Sequence, residues 1–174
     1  MNTLEAMKNR KSCRAYKAGR IPEEALETIL QAGMSAPVAS GAYDSLHITV
    51  VQNEETLKRI FNATSDLVFR FLKVRKNMDF GAGTLVLVSS RPAMMPGMEY
   101  ANAAAVVENM VLAATDMGFG NLFWAGAAAA VAQDEELRQS LGIPEGFKPL
   151  LCASFGDAAN EENAKKHAIS VNRE

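Results

Sequence analysis

Apolar residues recur at two spacings in this chain, and the two alternate along it. From Ile21 to Met34, Ala25, Leu26, Ile29, Leu30 and Gly33 share one face of a 3.6-residue repeat, which predicts an amphipathic helix. Pro22 suits its first turn, Glu23 and Glu24 favour the positive end of its dipole, and Pro37 enforces its end because a residue before proline avoids the helical region. Leu46 to Val51 alternates instead, with His47 and Thr49 set against Leu46, Ile48 and Val50, and reads as a strand. Thr84 to Ser89 is almost continuously leucine or β-branched, which suits a central strand covered on both faces. Asn121 to Trp124 and Pro149 to Phe155 read as further strands. Thr3 to Asn9, Glu54 to Asn62, Ser65 to Lys76 and Asp134 to Leu141 read as helices, with Asp134 as an N-cap. Gly126 opens an alanine-rich turn or helix.

Glu99 to Met117 gives the longest helix, roughly 28 Å at 1.5 Å per residue, closed by Gly118. Asn102, Asn109 and Asp116 fall seven apart on one stripe, and the rest is alanine, valine, methionine and leucine. A helix so apolar is a buried one, and its alanines allow close approach in a helix-to-helix core or a subunit interface. No internal repeat and no linker divides the chain, so strands scattered among helices predict one α+β or α/β domain over residues 1–174. The polar stretch from Ala158 to Lys166, followed by only Ile169 and Val171, predicts a tail that is disordered or lies along a partner.

The charge balance, 18 basic against 20 acidic residues, argues against a nucleic-acid or acidic-membrane partner for the whole surface. Residues 1–9 contain no apolar h-region and the Thr84–Ser89 run is too short to span a bilayer, so a soluble protein is expected. The two cysteines, Cys13 and Cys152, match no metal or redox spacing and suit free thiols in a reducing cytoplasm. His47 lies within a strand and His167 in the polar tail, so neither a metal ligand set nor a Ser-His-Asp arrangement is legible. Gly118-Phe119-Gly120 lacks the third glycine and the following helix of a dinucleotide loop. A chain this poor in acids, bases and nucleophiles leaves its chemistry to a bound cofactor.

The exception to that poverty is Arg10-Lys11-Ser12-Cys13-Arg14, directly after the first helix. So much charge is too costly to bury without a partner. Arginine forks, a lysine and a short hydroxyl together suit a phosphate, and a solvated basic surface is the alternative reading.

That pentad, Ala36-Pro37 with small residues before a strand, the alanine-rich helix closing in Met117-Gly118-Phe119-Gly120, the Leu141-Gly142-Ile143-Pro144-Glu145-Gly146 run and Lys165-Lys166-His167 together resemble the FMN-dependent nitroreductase family. The resemblance covers essentially the whole chain. It implies an α+β three-layer fold, a mostly antiparallel central sheet flanked by helices, in an intertwined homodimer with two FMN sites between subunits. By the resemblance, Arg10, Lys11, Ser12 and Arg14 hold the FMN phosphate and ribityl end, and Pro37, Val38, Ala39 and Gly41 of the other subunit line the flavin ring. Trp124, Ala125 and Gly126 offer backbone groups to the ring, and Lys165 and His167 form a C-terminal basic pair at the phosphate. The implied activity is ping-pong hydride transfer from NAD(P)H to an electron-poor small molecule such as a nitroaromatic or quinone, with no catalytic side chain of its own. Two other readings of the same fold are an FMN- or nucleotide-binding protein without turnover, and an enzyme using reduced flavin as a substrate. The chain departs from the family at Val38, commonly serine, at Gly41, commonly asparagine, and at Tyr43-Asp44-Ser45, commonly Gln-Pro-Trp.

Overall fold

The computed structural model of the chain describes residues 2–160, 164 and 167–174. Four strands, β1 (Leu46–Val51), β2 (Thr84–Ser90), β3 (Gly120–Trp124) and β4 (Lys148–Gly156), pair in the order β1-β2-β4-β3, each neighbour antiparallel. Around them lie α1 (Thr3–Asn9), α2 (Glu23–Met34), α3 (Glu54–Leu72), α4 (Met98–Asp116), α5 (Gly126–Gln133) and α6 (Glu135–Ser140).

The pleat sends alternate side chains to opposite faces. Leu85, Leu87 and Cys152 therefore meet α3, α5 and α6 through Leu57, Ile60, Phe61, Ala127, Val131 and Leu137. Val86, Val88, Ala153 and Phe155 meet α2 and α4 through Leu26, Ile29, Val107, Met110 and Val111. The result is a helix–sheet–helix α+β architecture. Every residue of β2 is buried, as its unbroken apolar run anticipates for a central strand. Its register to β4 shifts between Val88 and Ser89, opposite Pro149, which has no N–H to give the ladder.

Two readings of the sequence are corrected. The predicted break between Asn62 and Ser65 does not occur: α3 is continuous from Glu54 because Thr64 and Ser65 turn their hydroxyls back onto the carbonyls of Ile60 and Phe61. It stops at Leu72 rather than Lys76, since Lys73 adopts a left-handed φ of 56° and its N–H closes on Phe69 O. The polar stripe of α4 also faces inward in part. Asn102 is buried, and Asn109 donates through Nδ2 to Ala32 O at 3.1 Å, so this stripe fastens α4 to the end of α2. Among the described residues no helix is long and apolar enough to cross a membrane, and no group of His, Cys, Asp and Glu could hold a metal ion.

Candidate functional site

α1 starts in a capping box, Asn2 Oδ1 accepting from Glu5 N–H while Glu5 accepts from Asn2 N–H, and it releases the chain as extended backbone at Arg10. That extended backbone lies beside β3. Ser12 forms a parallel bridge with Asn121, and Cys13 N–H donates to Asn121 O at 2.7 Å. Beyond it, Tyr16 N–H donates to Phe80 O and the Tyr16 hydroxyl to Ser154 O at 3.3 Å. Burial, followed by the neighbouring Cys13, raises that phenol well above its usual ionisation range, so it stays a neutral anchor. Cys13 is buried against Gly120, where an added Cβ would stand 2.9 Å from its Sγ. Fixed at both ends, the segment keeps Arg10, Lys11 and Ser12 half-buried and Arg14 exposed.

A cavity of about 240 Å³ opens here, walled by Asn9 and residues 11–15, by Thr115 and Gly118 to Asn121, and by Ala158 and Asn160. It contains three of the four pentad residues predicted from sequence, Lys11, Ser12 and Arg14; Arg10 is not in its wall. Two cations and a hydroxyl around one hollow suit a phosphate. At its floor Asn121, 2% exposed, donates through Nδ2 to Thr115 Oγ1 at 2.9 Å and to Phe119 O at 3.3 Å. Its Oδ1 has no partner among the described residues, so the wall also holds an acceptor in need of a donor. The volume is below the roughly 300–1,000 Å³ of a complete small-molecule site.

Trp124, Ala125 and Gly126 lie at the other end of β3, about 13 Å from Asn121 at 3.3 Å per residue. The Trp124 indole is held between Phe61 and Phe80, with ring centroids 6.1 and 5.9 Å away, and donates to Ser154 Oγ at 3.1 Å. Ala125 is exposed and no side chain caps α5, whose Ala127 and Ala128 N–H groups face the Cys152 sulfur. Gly126 must stay small, because a Cβ there would meet Thr64 Cγ2 at 3.2 Å and the Trp124 ring at 3.4 Å.

The third predicted group lies elsewhere. Val38 is buried and Ala39 N–H donates to Asn102 Oδ1 at 3.0 Å, which ties the 37–41 loop to the start of α4. Thr115, in the cavity wall, is thirteen residues further along that helix, about 20 Å away. Within one chain Pro37, Val38, Ala39 and Gly41 do not reach the cavity. His167 is exposed and outside the cavity wall, and Lys165 lies outside the described residues. Thr115, Asn121 and Asn160 had not been singled out. The one signal for them was Gly118-Phe119-Gly120-Asn121 closing the long helix, a turn with no dinucleotide-type spacing.

The profile of the nitroreductase family matches residues 7–157. A protein of Archaeoglobus fulgidus with the provisional name NADH dehydrogenase/NAD(P)H nitroreductase is 31% identical over 163 residues, covering 92% of this chain and 87% of that protein. The crystal structure of a nitroreductase with bound FMN from Bacteroides fragilis superposes with a TM-score of 0.80 at 30% identity, covering 99% of this chain and 100% of that one. A second FMN-bound nitroreductase, from Desulfitobacterium hafniense, reaches a TM-score of 0.86 at 22% identity over 99% of this chain and 100% of that one, a likeness of fold.

Proposed function

The chain belongs to the nitroreductase family, and on that premise we propose that it binds FMN and acts as an NAD(P)H-dependent oxidoreductase. The observation that carries this reading is the pairing of a cationic hollow at the start of β3 with an uncapped helix start at its end, one short strand apart. Lys11, Ser12 and Arg14, with Arg10 beside them, hold the phosphate; Asn121 Oδ1 accepts from a hydroxyl of the ribityl chain. The chemistry the cofactor supplies is hydride transfer, from NAD(P)H and then to an electron-poor acceptor such as a nitroaromatic or a quinone, in ping-pong order. The backbone N–H groups at Ala125 and Gly126, at the positive end of the α5 dipole, favour the negative charge that reduction brings to this end of the strand.

A second copy of the chain completes the site. The 37–41 loop, about 20 Å from the cavity of its own chain, lines the ring of the opposite site together with Ala125 and Gly126. Lys165 and His167 complete the phosphate contacts. With glycine in place of the asparagine common in the family, position 41 offers only backbone to the flavin edge.

The test is an absorption spectrum of the purified protein before and after anaerobic NADH or NADPH, with gel filtration for subunit number. Bound flavin, bleached by the nucleotide and restored by a quinone or nitroaromatic, in a dimer, is the expected result. A colourless protein that takes up no added FMN defeats the reading. Retained flavin that no nucleotide bleaches leaves a binding protein without turnover, and free reduced flavin consumed in air points to its use as substrate.

A further inference from the structure

The core-facing stripe of α3 runs off the edge of the sheet. Leu57, Ile60, Phe61, Thr64 and Leu67 are buried along it, yet Phe71, four residues beyond Leu67 on the same face, is 75% exposed. Leu72 and Val74 beside it are also more than half exposed. A hydrophobic stripe left uncovered in its last turn marks a place where something else is received.

Its position and charge narrow the occupant. Thr64, on the same stripe, is the residue that packs against Gly126. Phe71 is seven residues further, about 10 Å along the helix axis from the end of the site where the flavin ring is placed. Lys73, Arg75 and Lys76 follow it in the chain, three cations with no acid between Asp66 and Asp79, whereas Arg70 turns to α5 and donates to Gln133 Oε1 at 3.2 Å. None of the three is in an ion pair among the described residues. The left-handed turn at Lys73 folds the chain back, so that the Arg75 guanidinium lies 4.8 Å over the Phe69 ring. Three cations outside any ion pair, beside an exposed aromatic ring, suit an occupant of opposite charge. The occupant is therefore an anion that also carries a flat apolar face. Phosphates on arginine and lysine with a base on an exposed aromatic ring are the chemistry of nucleotide capture.

Resting on the reading that NAD(P)H is the reductant, we propose that this turn of α3 receives the adenosine-phosphate half of the dinucleotide. The nicotinamide then lies toward Gly126 and the phosphates lie among Lys73, Arg75 and Lys76. The 2′-phosphate of NADPH adds further negative charge to that half, so the patch favours NADPH over NADH.

The test is steady-state kinetics of the flavin-loaded protein carrying Lys73→Glu and Arg75→Glu, beside the milder Lys73→Gln/Arg75→Gln in case charge reversal impairs folding. KM for NADPH is expected to rise about tenfold or more, KM for NADH by less, with flavin content and subunit number unchanged. Raised ionic strength should increase KM for NADPH in the parent protein and much less in the variants. Unchanged KM for NADPH, or equal rises for both nucleotides, overturns the proposal. So does a change confined to subunit number, or binding of the parent protein to anionic phospholipid vesicles that the variants lose while KM stays fixed. Equilibrium titration with NADPH separates this inference from the one beneath it. Variant-sensitive binding without turnover upholds the patch and defeats the oxidoreductase reading, whereas turnover with variant-insensitive binding does the reverse.

Discussion

Asn102 and Ala39 are joined across 63 positions of chain by one hydrogen bond, the Ala39 N–H donating to the buried Asn102 Oδ1 at 3.0 Å. The loop it holds turns through left-handed backbone at Ser40 and Gly41, φ 58° and 63°, and its own bonds are short-range, Gly41 N–H to Val38 O and Ala42 N–H to Ala39 O. Asn102→Ala strands the Ala39 N–H and is expected to cost about 1–3 kcal/mol. Thermal unfolding should record it as a lower Tm, by about 2–4 °C for each kcal/mol. On the proposed reading flavin should also dissociate faster, since the loop would line the ring in the second subunit's site. Unchanged Tm would mean the bond holds nothing in place.

On the proposed reading, replacing Arg10 and Arg14 together by alanine would remove two charge-assisted contacts to the phosphate. Each is expected to weaken FMN binding by about 10- to 150-fold, from about 1.5–3 kcal/mol per bond. Tm of the flavin-free protein should hardly move, because Arg14 is exposed and Arg10 half-buried. Fluorescence titration with FMN measures the first and thermal unfolding the second. FMN affinity equal to that of the parent chain would remove the pentad from the site.

The strands were legible because their code is local: the β2 run and the β1 alternation carry their burial on their face. Dense charge singled out the pentad but left solvated surface as the alternative; the fold adds that Lys11, Ser12 and Arg14 wall one cavity. The continuity of α3 was hidden, because Asn62, Thr64 and Ser65 look like a break until the Thr64 and Ser65 hydroxyls are seen bonded to the preceding turn. Asn121 was hidden for a different reason: its neighbours Thr115 and Phe119 are local, but the segment that makes it a cavity floor comes from residues 11–15. The separation of the 37–41 loop from the cavity depends on the length of α4, a distance that no motif carries.

Gly120 sets how closely the pentad lies on β3. An added Cβ would stand 2.9 Å from Cys13 Sγ and 3.2 Å from both Cys13 Cβ and Ala158 Cβ. Gly120→Ala should therefore push residues 11–14 outward, lowering Tm and FMN affinity together. Adding Cys13→Ala removes the nearest of these atoms, so the double variant should recover part of both losses, a coupling that additive effects would not give. Losses that simply add would place the damage elsewhere.

Cys152 gives stability a dependence on pH. The residue is fully buried, its Sγ donates to Trp124 O at 3.1 Å, and burial pushes the thiol up to about 12 despite the opposing N–H groups of Ala128 and Ala127. In the unfolded chain a cysteine ionises near 8.5. Below that pH both states keep the proton and the thiol adds no slope. Between about 8.5 and 12 the unfolded state loses the proton while the folded state retains it, so stability falls by about 1.4 kcal/mol per pH unit. Urea unfolding at pH 7 and pH 10 should find the parent chain losing about 2 kcal/mol more than Cys152→Ala over this interval. The variant is the less stable chain at pH 7, having lost buried atoms and left the Trp124 carbonyl without its donor. Every other titratable group is common to both chains, so the difference between the two slopes belongs to Cys152. Equal slopes would mean that the thiolate is tolerated in the core.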